Sequence, residues 1–541
     1  MVHPASRLIL IALLGWSCAQ KPKTLFRLVP QEESGIKFSN DIHESDSFNI
    51  LTYEYIYNGG GVGIGDFNND GLQDLFFCGN MVPNKLYLNL GGLKFKDITE
   101  KANINVAGKW NSGVSLVDIN NDGWLDIYVS ATMHKDSASR RNMLFINQGL
   151  DATGIPFFEE RAASYKIDYG GYSVMSAFLD YDRDGDLDLY ILTNVKINNK
   201  PTTYREKIMD GSAPNNDKLF RNNGNGTFTD VTLKAGIKEE GFGLGLAISD
   251  FNSDGWPDIY VSNDYLANDI LYLNNGDGTF ANQTQNFIPH QSQFSMGNDA
   301  ADFNNDLLPD IVTLDMLPEN NFRKKTTINT KSYQTYVNNE RFHYQYQYVR
   351  NMLQLNNGLN KGIKFSEVGQ LAGVYQTEWS WSPLLADFDN DGWKDLLITN
   401  GFPKDITDKD FANYRNDVGN IATRRMLLDS IPIVKIPHYA FRNEQHLSFT
   451  DVSDAWGLNV VSFSNAAAFS DLDNDGDLDY VVSNINDPVF LFENQLNNGG
   501  DKNKPSFMNI KFSGSIGNRN GIGARVTIAA DGHFQYLENT V

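Results

Sequence analysis

Seven times along the chain an aspartate opens a nine-residue stretch with oxygen-bearing side chains at positions one, three, five and nine. The stretches begin at Asp66 (DFNNDGLQD), Asp118 (DINNDGWLD), Asp180 (DYDRDGDLD), Asp250 (DFNSDGWPD), Asp302 (DFNNDLLPD), Asp387 (DFDNDGWKD) and Asp471 (DLDNDGDLD). In a tight loop the oxygens at one, three and five all point inward. Glycine at six takes a left-handed turn without a Cβ penalty, and a backbone carbonyl at seven with a carboxylate at nine completes an oxygen cage. Roughly six to eight oxygens on a pliant loop suit Ca²⁺, whereas Mg²⁺ wants stricter octahedral geometry and keeps its waters.

The candidate metal ligands follow by position. They are Asp66, Asn68, Asp70, Leu72 and Asp74 in the first loop, and Asp118, Asn120, Asp122, Trp124 and Asp126 in the second. The third offers Asp180, Asp182, Asp184, Asp186 and Asp188; the fourth, Asp250, Asn252, Asp254, Trp256 and Asp258. The fifth offers Asp302, Asn304, Asp306 and Asp310, but Leu307 replaces the glycine. A bulky residue in a left-handed conformation costs roughly 1 kcal/mol, so this site is expected to be empty or distorted. The sixth offers Asp387, Asp389, Asp391, Trp393 and Asp395, and the seventh Asp471, Asp473, Asp475, Asp477 and Asp479. A single copy would read equally well as turn-forming residues; seven copies with acids at one, five and nine each time point to metal.

The elements that hold these loops are strands. An EF-hand also opens D-x-[DN]-x-[DN]-G, but it needs Glu at position twelve and flanking helices. Here the last acid sits at nine and runs into Leu75-Phe76-Phe77, Ile127-Tyr128-Val129, Ile259-Tyr260-Val261 and Tyr480-Val481-Val482, which are β-rich. Between the loops an L-Y-x-N strand returns, as in Leu86–Asn89, Leu219–Asn222 and Leu271–Asn274, with looser copies at Leu144, Leu353, Phe441 and Leu491. It is followed through Asn-Gly or Asp-Gly turns by an F-x-D-V-T strand near Phe95, Phe157, Phe228, Phe280, Phe365 and Phe449, the pattern of a hairpin.

Each unit thus supplies four strands, and units of this length that recur radially predict an all-β, seven-bladed β-propeller. Only six F-x-D-V-T strands follow a metal loop. The missing one is assigned to the N-terminus, where Phe26–Val29 with Ser34-Gly35-Ile36 aligns with Phe228–Val231 and Ala235-Gly236-Ile237. That arrangement closes the ring and removes two sheet edges. Three units carry long insertions: 194–218 with Lys196, Lys200, Arg205 and Lys207; 315–350 with Arg323-Lys324-Lys325 and alternating Tyr344, Tyr346 and Tyr348; and 401–438 with a helix expected around 408–430. Loops on one propeller face often bind ligands, and Tyr and Arg supply hot spots. The alternative is that these side chains pack over the blades.

The loops and their flanking strands resemble FG-GAP/VCBS-type repeats, the units of the integrin α-subunit propeller, over roughly residues 24–500. Gly517-Asn518-Arg519-Asn520-Gly521-Ile522-Gly523-Ala524-Arg525-Val526 is similar to the N-R-x-x-I-G-A-R-V core of the ASPIC/UnbV domain, which commonly follows such a propeller in exported bacterial proteins. Residues 505–541 then read as a partial, β-rich, apparently truncated copy of that domain. The resemblance implies Ca²⁺ at the loop positions; integrin-like adhesion follows from it only as an analogy of fold.

Composition narrows the partners. Acids number 67 against 45 Lys and Arg, a formal charge of −22, which excludes a nucleic-acid binder and a polybasic membrane-surface protein. Of the acids, 24 stand at positions one, three, five and nine of the loops. Seven Ca²⁺ would bring the charge to −8, so most of the acidity is metal inventory. The N-terminus carries His3 and Arg7, an apolar run from Leu8 to Leu14, and Gly15-Trp16-Ser17-Cys18. That pattern predicts an export signal over 1–18 with Cys18 as a candidate lipidation site. No later stretch approaches the ~20 apolar residues of a membrane span.

The expected protein is an exported Ca²⁺-binding module at a bacterial cell envelope, an outer-membrane lipoprotein or a surface or periplasmic protein, that engages a protein or glycan and touches the membrane only through its lipid. A carbohydrate-active enzyme on a Ca²⁺-stabilised propeller is the alternative, with Lys324, His343 and Tyr344 as loop candidates but no spacing that selects them. A structural scaffold is the third. No H-E-x-x-H or G-x-S-x-G motif occurs. Gly61-x-Gly63-x-Gly65 and Gly241-x-Gly243-x-Gly245 run into metal loops rather than helices, which fits small residues on a crowded inner strand, not a dinucleotide loop.

Overall fold

A computed structural model of the chain describes residues 24–195, 204–327, 332–359, 364–498, 506–530 and 532–540. It contains seven four-stranded antiparallel sheets arranged as blades. Blade one is built from Val62–Gly65, Asp74–Phe77, Lys85–Asn89 and Phe95–Asp97, in that order from the axis outward. Blades two to six repeat this plan from Trp110, Ser173, Gly243, Asn298 and Ser380. The first strands touch one another in sequence around the axis, and that of blade seven (Ser464–Ser470) touches that of blade one.

Blade seven takes its outer strand from the other end of the chain. Phe26–Leu28 pairs antiparallel with Phe490–Asn494, Phe26 facing Asn494. The register is that of every other blade, where the phenylalanine faces the asparagine of the third strand, as Phe95 faces Asn89 and Phe449 faces Asn443. Blade two keeps the rule with Phe158 opposite Asn147, one residue later than the Phe157 expected from sequence; Phe158 is buried and Phe157 exposed. Gly35, with φ of 78°, follows this outer strand, and a Cβ there would come 2.5 Å from the carbonyl of Phe95 in blade one. A Cβ on Gly236 or Gly457 would likewise come 2.7 Å from the carbonyl of Phe280 or Phe26, so a glycine here lets the outer strands of blades three, six and seven nest under the next, including across the closure.

The second strand of each blade is apolar on both faces because both pack against neighbouring blades. Phe76, Ile127, Leu189, Ile259, Ile311, Leu397 and Val481 are fully buried. The core is divided accordingly: Phe67 and Phe76 of blade one pack with Ile127, Phe145 and Phe158 of blade two, and six comparable clusters fill the other junctions. Each large aliphatic or aromatic side chain buried there contributes roughly 1.5–3 kcal/mol. The inner strands are glycine-rich because they crowd: a Cβ on Gly65 would come 2.4 Å from Leu125, and one on Gly243 2.3 Å from Leu192. Cys78 is a buried free thiol, its pKa pushed up by burial. In place of one helix around 408–430 there are two, Lys409–Val418 and Arg424–Asp429, broken at Gly419. Among the described residues no helix is long and apolar enough to cross a membrane. Cys18, Lys196 and Lys200 lie outside the described residues.

Candidate metal centre

Each acidic loop joins the end of a first strand to the start of a second, so all seven lie on one face of the ring. The position-nine aspartates (Asp74, Asp126, Asp188, Asp258, Asp310, Asp395 and Asp479) are the first residues of the second strands and have no exposed surface. Their two oxygens are used alike. One accepts the N–H of position two (Phe67 to Asp74 at 2.9 Å, Phe388 to Asp395 at 3.1 Å). The other accepts the N–H of the L-Y-x-N asparagine (Asn89 to Asp74 at 2.8 Å, Asn443 to Asp395 at 2.9 Å). Position one closes the loop: Asp66 accepts the N–H groups of Asp70 at 3.1 Å and Gly71 at 2.9 Å, and Asp387 those of Asp391 and Gly392. Position seven follows in the same turn, its N–H donating to position five, as Trp393 does to Asp391 and Leu72 to Asp70 at 2.9 Å.

The turn needs two left-handed residues. Position six has φ of 88–95° in the six loops with glycine, and position four has φ of 54–61° in all seven. Leu307 meets the demand in spite of its side chain: its φ is 72°, and its N–H reaches Asp302 at 2.9 Å as the glycines do. The fifth loop therefore keeps the backbone course of the others, and its departure is confined to the strain of Leu307.

Carboxylate oxygens at positions one, three and nine converge to within 4.8 Å of one another in three loops: Asp180, Asp182 and Asp188; Asp387, Asp389 and Asp395; Asp471, Asp473 and Asp479. These loops carry aspartate at three. In the other four an asparagine takes its place; Asn68 and Asn252 accept the N–H of Asp70 and Asp254 through their side-chain oxygens, at 3.3 and 2.9 Å. The donor set fits a hard cation on an observation beyond type and spacing. Asp180 Oδ1, Asp182 Oδ1, Asp473 Oδ1 and Asp475 Oδ2 are buried and without a hydrogen-bond partner. Oxygens left so are costly unless something positive meets them. These buried aspartate clusters, each made by positions one, three and nine, could hold a metal ion.

The electrostatics agree. Burial first, then the neighbouring carboxylates, push the position-nine carboxyls up: Asp74 to about 7, Asp126 and Asp258 to about 8, Asp188, Asp395 and Asp479 to about 9. In the unfolded chain these groups titrate near ~4. Between that value and the folded ones, the folded state holds protons that the unfolded state has released. Without metal, stability must therefore fall as pH rises from about 5 to about 9. A bound dication displaces those protons, so with metal the slope should flatten or reverse. Melting temperatures at the two pH values, with chelator and with Ca²⁺, check this; the same slope in both would contradict it.

The structure also gives the L-Y-x-N asparagine a role that sequence reading passed over. In every blade but the third, where Asn222 makes only the first of these bonds, its side-chain amide donates to the position-eight carbonyl of its own loop and to the position-two carbonyl of the preceding blade. Asn356 bonds Pro309 and Phe251 at 3.1 and 2.9 Å; Asn443 bonds Lys394 and Phe303 at 3.0 and 2.8 Å; Asn89 reaches across the closure to Leu472 at 2.7 Å. Position-four asparagines add a second link, as Asn69 to Gly123, Asn305 to Gly392 and Asn474 to Gly71. The loops are thus stitched to one another around the ring. The signal was the recurrence of Asn at one fixed place after the metal loop.

Residues 506–530 and 532–540 lie against this same face. Their hairpin is Arg525–Ala530 with His533–Glu538. Arg525 is 2.5 Å from Asp250 of the fourth loop, Gly517 donates to Asn121 of the second at 2.9 Å, and Lys394 of the sixth donates to Tyr536 at 3.1 Å.

The sixth and fifth loops rank differently. Loop six brings Asp389 where loop five has Asn304, and it is spared the strain of Leu307. Asp391→Ala should therefore lower the melting temperature in Ca²⁺ more than Asp306→Ala, and the gap should vanish in chelator. The reverse order would discredit this ranking.

Comparison with known proteins agrees with the repeat. A family model described as FG-GAP-like repeat matches residues 66–129, 208–261 and 250–313, and the chain carries FG-GAP-like repeats. Cartilage acidic protein 1 of Homo sapiens is 24% identical over 234 residues, 43% of this chain and 32% of that protein. The Xenopus tropicalis protein of that name is 24% identical over 211 residues, 38% of this chain and 29% of its own length. The chain thus matches about a third of the length of these relatives. Among solved structures, an Agrocybe aegerita lectin that recognises non-reducing terminal N-acetylglucosamine aligns with a TM-score of 0.38 at 16% identity, over 74% of this chain and 84% of its own. The V. cholerae biofilm matrix protein Bap1 aligns at 0.33 and 11% identity, over 89% and 92%.

Proposed function

We propose that the protein is an exported, Ca²⁺-loaded binding propeller that engages a protein or glycan at the bacterial cell envelope, tethered by lipid on Cys18, with residues 505–541 a partial ASPIC/UnbV domain. The observation that carries the binding role is a division of labour between faces. The acidic loops occupy one face. The connections from second to third strand, which hold the long insertions, emerge on the other.

There the insertions brace one another. Tyr204 donates to Asn339 at 2.8 Å, Tyr344 to the carbonyl of Arg205, and Arg323 of the blade-five insertion meets Asp405 of blade six at 3.3 Å. A surface so held is preorganised, which lowers the entropy cost of binding. Three of its cations are spent inward: Arg205 pairs with Glu240, Lys207 with Glu239 at 3.3 Å, and Arg323 with Glu378 at 3.0 Å. The exposed character is aromatic instead. Tyr333 is 81% and Phe322 73% exposed, and Tyr336 stacks on Tyr346 at 5.2 Å. Exposed aromatic rings suit a sugar face or a protein side chain.

The reading includes no catalytic step. Of the loop candidates, Lys324 contacts Gln376 and Tyr344 donates to the carbonyl of Arg205. The test is a glycan and protein array probed with the Ca²⁺-loaded chain and with a Phe322→Ala/Tyr333→Ala/Tyr336→Ala variant. The expected result is a ligand bound by the parent and lost by the variant at unchanged melting temperature. No ligand, or polysaccharide cleavage that depends on an insertion residue, would overturn it.

A further inference from the structure

The C-terminal hairpin brings a positive charge of its own to one of the acidic loops. Arg525 opens the strand Arg525–Ala530, and its Nη1 is 2.5 Å from Asp250 Oδ2, the position-one carboxylate of the fourth loop. That oxygen also accepts the N–H of Gly255 at 2.8 Å, and Oδ1 accepts that of Asp254 at 3.0 Å. Arg525 Nε is 3.7 Å from Glu538 Oε1 on the second hairpin strand, and Glu538 accepts the hydroxyl of Ser249, the last residue of the first strand of blade four. One guanidinium is thus shared by two carboxylates whose side chains are 1% and 9% exposed.

The first loop is a built-in comparison. Its residues at one, three, five and nine are Asp66, Asn68, Asp70 and Asp74, the same types as Asp250, Asn252, Asp254 and Asp258. Both loops make the same turn, position one accepting the N–H groups of positions five and six. They differ in what covers position one: Asp66 is half-buried, whereas Asp250 is buried and paired with Arg525. Two cations that draw on one carboxylate compete for its charge and repel each other, the more so where water is excluded. Calcium at the fourth loop needs the charge that Arg525 holds, and Arg525 in place makes that loop a weaker site. The two effects are one coupling free energy, and linkage makes them equal in size. Glu538 gives the guanidinium a second partner, so leaving Asp250 does not strand it without a carboxylate.

We infer that Arg525 is an internal rival of calcium at the fourth loop: the docked hairpin holds that loop's affinity below that of the first, and calcium entering the loop loosens the hairpin. The inference rests on the metal reading of the loops and goes beyond it by coupling one site to the C-terminal hairpin.

Hydrogen–deuterium exchange of the full chain, read peptide by peptide across a Ca²⁺ titration, follows both partners at once. Peptides over 66–74 and 250–258 report the first and fourth loops by gaining protection, and the strands Arg525–Ala530 and His533–Glu538 report the hairpin. The fourth loop should gain protection at a Ca²⁺ concentration at least about fivefold above that of the first, and the hairpin strands should exchange faster over the same range. Arg525→Gln should lower the fourth-loop midpoint by at least about fivefold, leave that of the first loop in place and abolish the response of the hairpin to Ca²⁺. Arg525→Lys, which keeps the charge, should retain the high midpoint. A hairpin slowed or unchanged by Ca²⁺, or a fourth-loop midpoint that Arg525→Gln leaves in place, would overturn the inference while the metal reading stands. No protection of either loop by Ca²⁺ would overturn the metal reading and this inference with it.

Discussion

Chelation should lower the melting temperature by more than about 10 °C. A ligand that binds only the folded state at a hundred times its dissociation constant stabilises by about 2.7 kcal/mol per site. Six filled loops then contribute on the order of 16 kcal/mol. A chain of 541 residues unfolds with an entropy of about 1.1 kcal/mol per kelvin, which converts that sum to roughly 14 °C. The structure supplies the reason the sites belong to the folded state. Position nine opens the second strand while position one lies just after the first, and position nine is held by N–H groups of its own loop and of the third strand, which come together only when the blade forms. Calcium added back should restore the parent curve, and Mg²⁺ should restore much less of it. Identical melting with and without chelator would contradict the metal reading.

The second large effect is expected at position nine. Asp395 is fully buried and accepts N–H groups from Phe388 and from Asn443 on the third strand. Asp395→Ala strands both donors, at about 1–3 kcal/mol each, and removes a metal ligand as well. The loss should exceed about 3 kcal/mol in Ca²⁺ by denaturant unfolding, and most of it should persist in chelator. Asp391→Ala at position five differs in kind. Its loop-side bonds are at the surface, so its effect should largely vanish once the metal is removed. Equal chelator sensitivity of the two variants would show that position nine acts only as a ligand and not as the pin of the blade.

Much of this arrangement was legible in the residues. The metal loops announce themselves by period, and the strand after each is visible because it is apolar on both faces. Even the closure by Phe26–Leu28 could be reached by counting strands and matching Gly35 to Gly236. What was not legible depends on groups far apart in the chain. The bond from Asn89 to Leu472 joins residues 383 apart, and no local pattern says what an asparagine amide will meet across a blade junction. At Leu307 the steric rule is right about the cost, roughly 1 kcal/mol, and the turn nonetheless keeps the N–H bond to Asp302 that the glycines make in the other loops. The insertions misled by composition. Arg205, Lys207 and Arg323 read as a basic surface in sequence, yet in three dimensions each has a carboxylate partner from another segment. The pairing of Arg525 with Asp250 was hidden in the same way, because the hairpin and the fourth loop belong to distant parts of the chain.

The most direct test of the central claim is a metal count. The folded chain, loaded with Ca²⁺, desalted and measured by inductively coupled plasma mass spectrometry against protein concentration, should carry six or seven calcium ions per molecule. The loops of Asp180, Asp387 and Asp471, whose three carboxylates converge, should be the last to empty under chelator. No retained calcium, or a single ion per chain, would contradict the account.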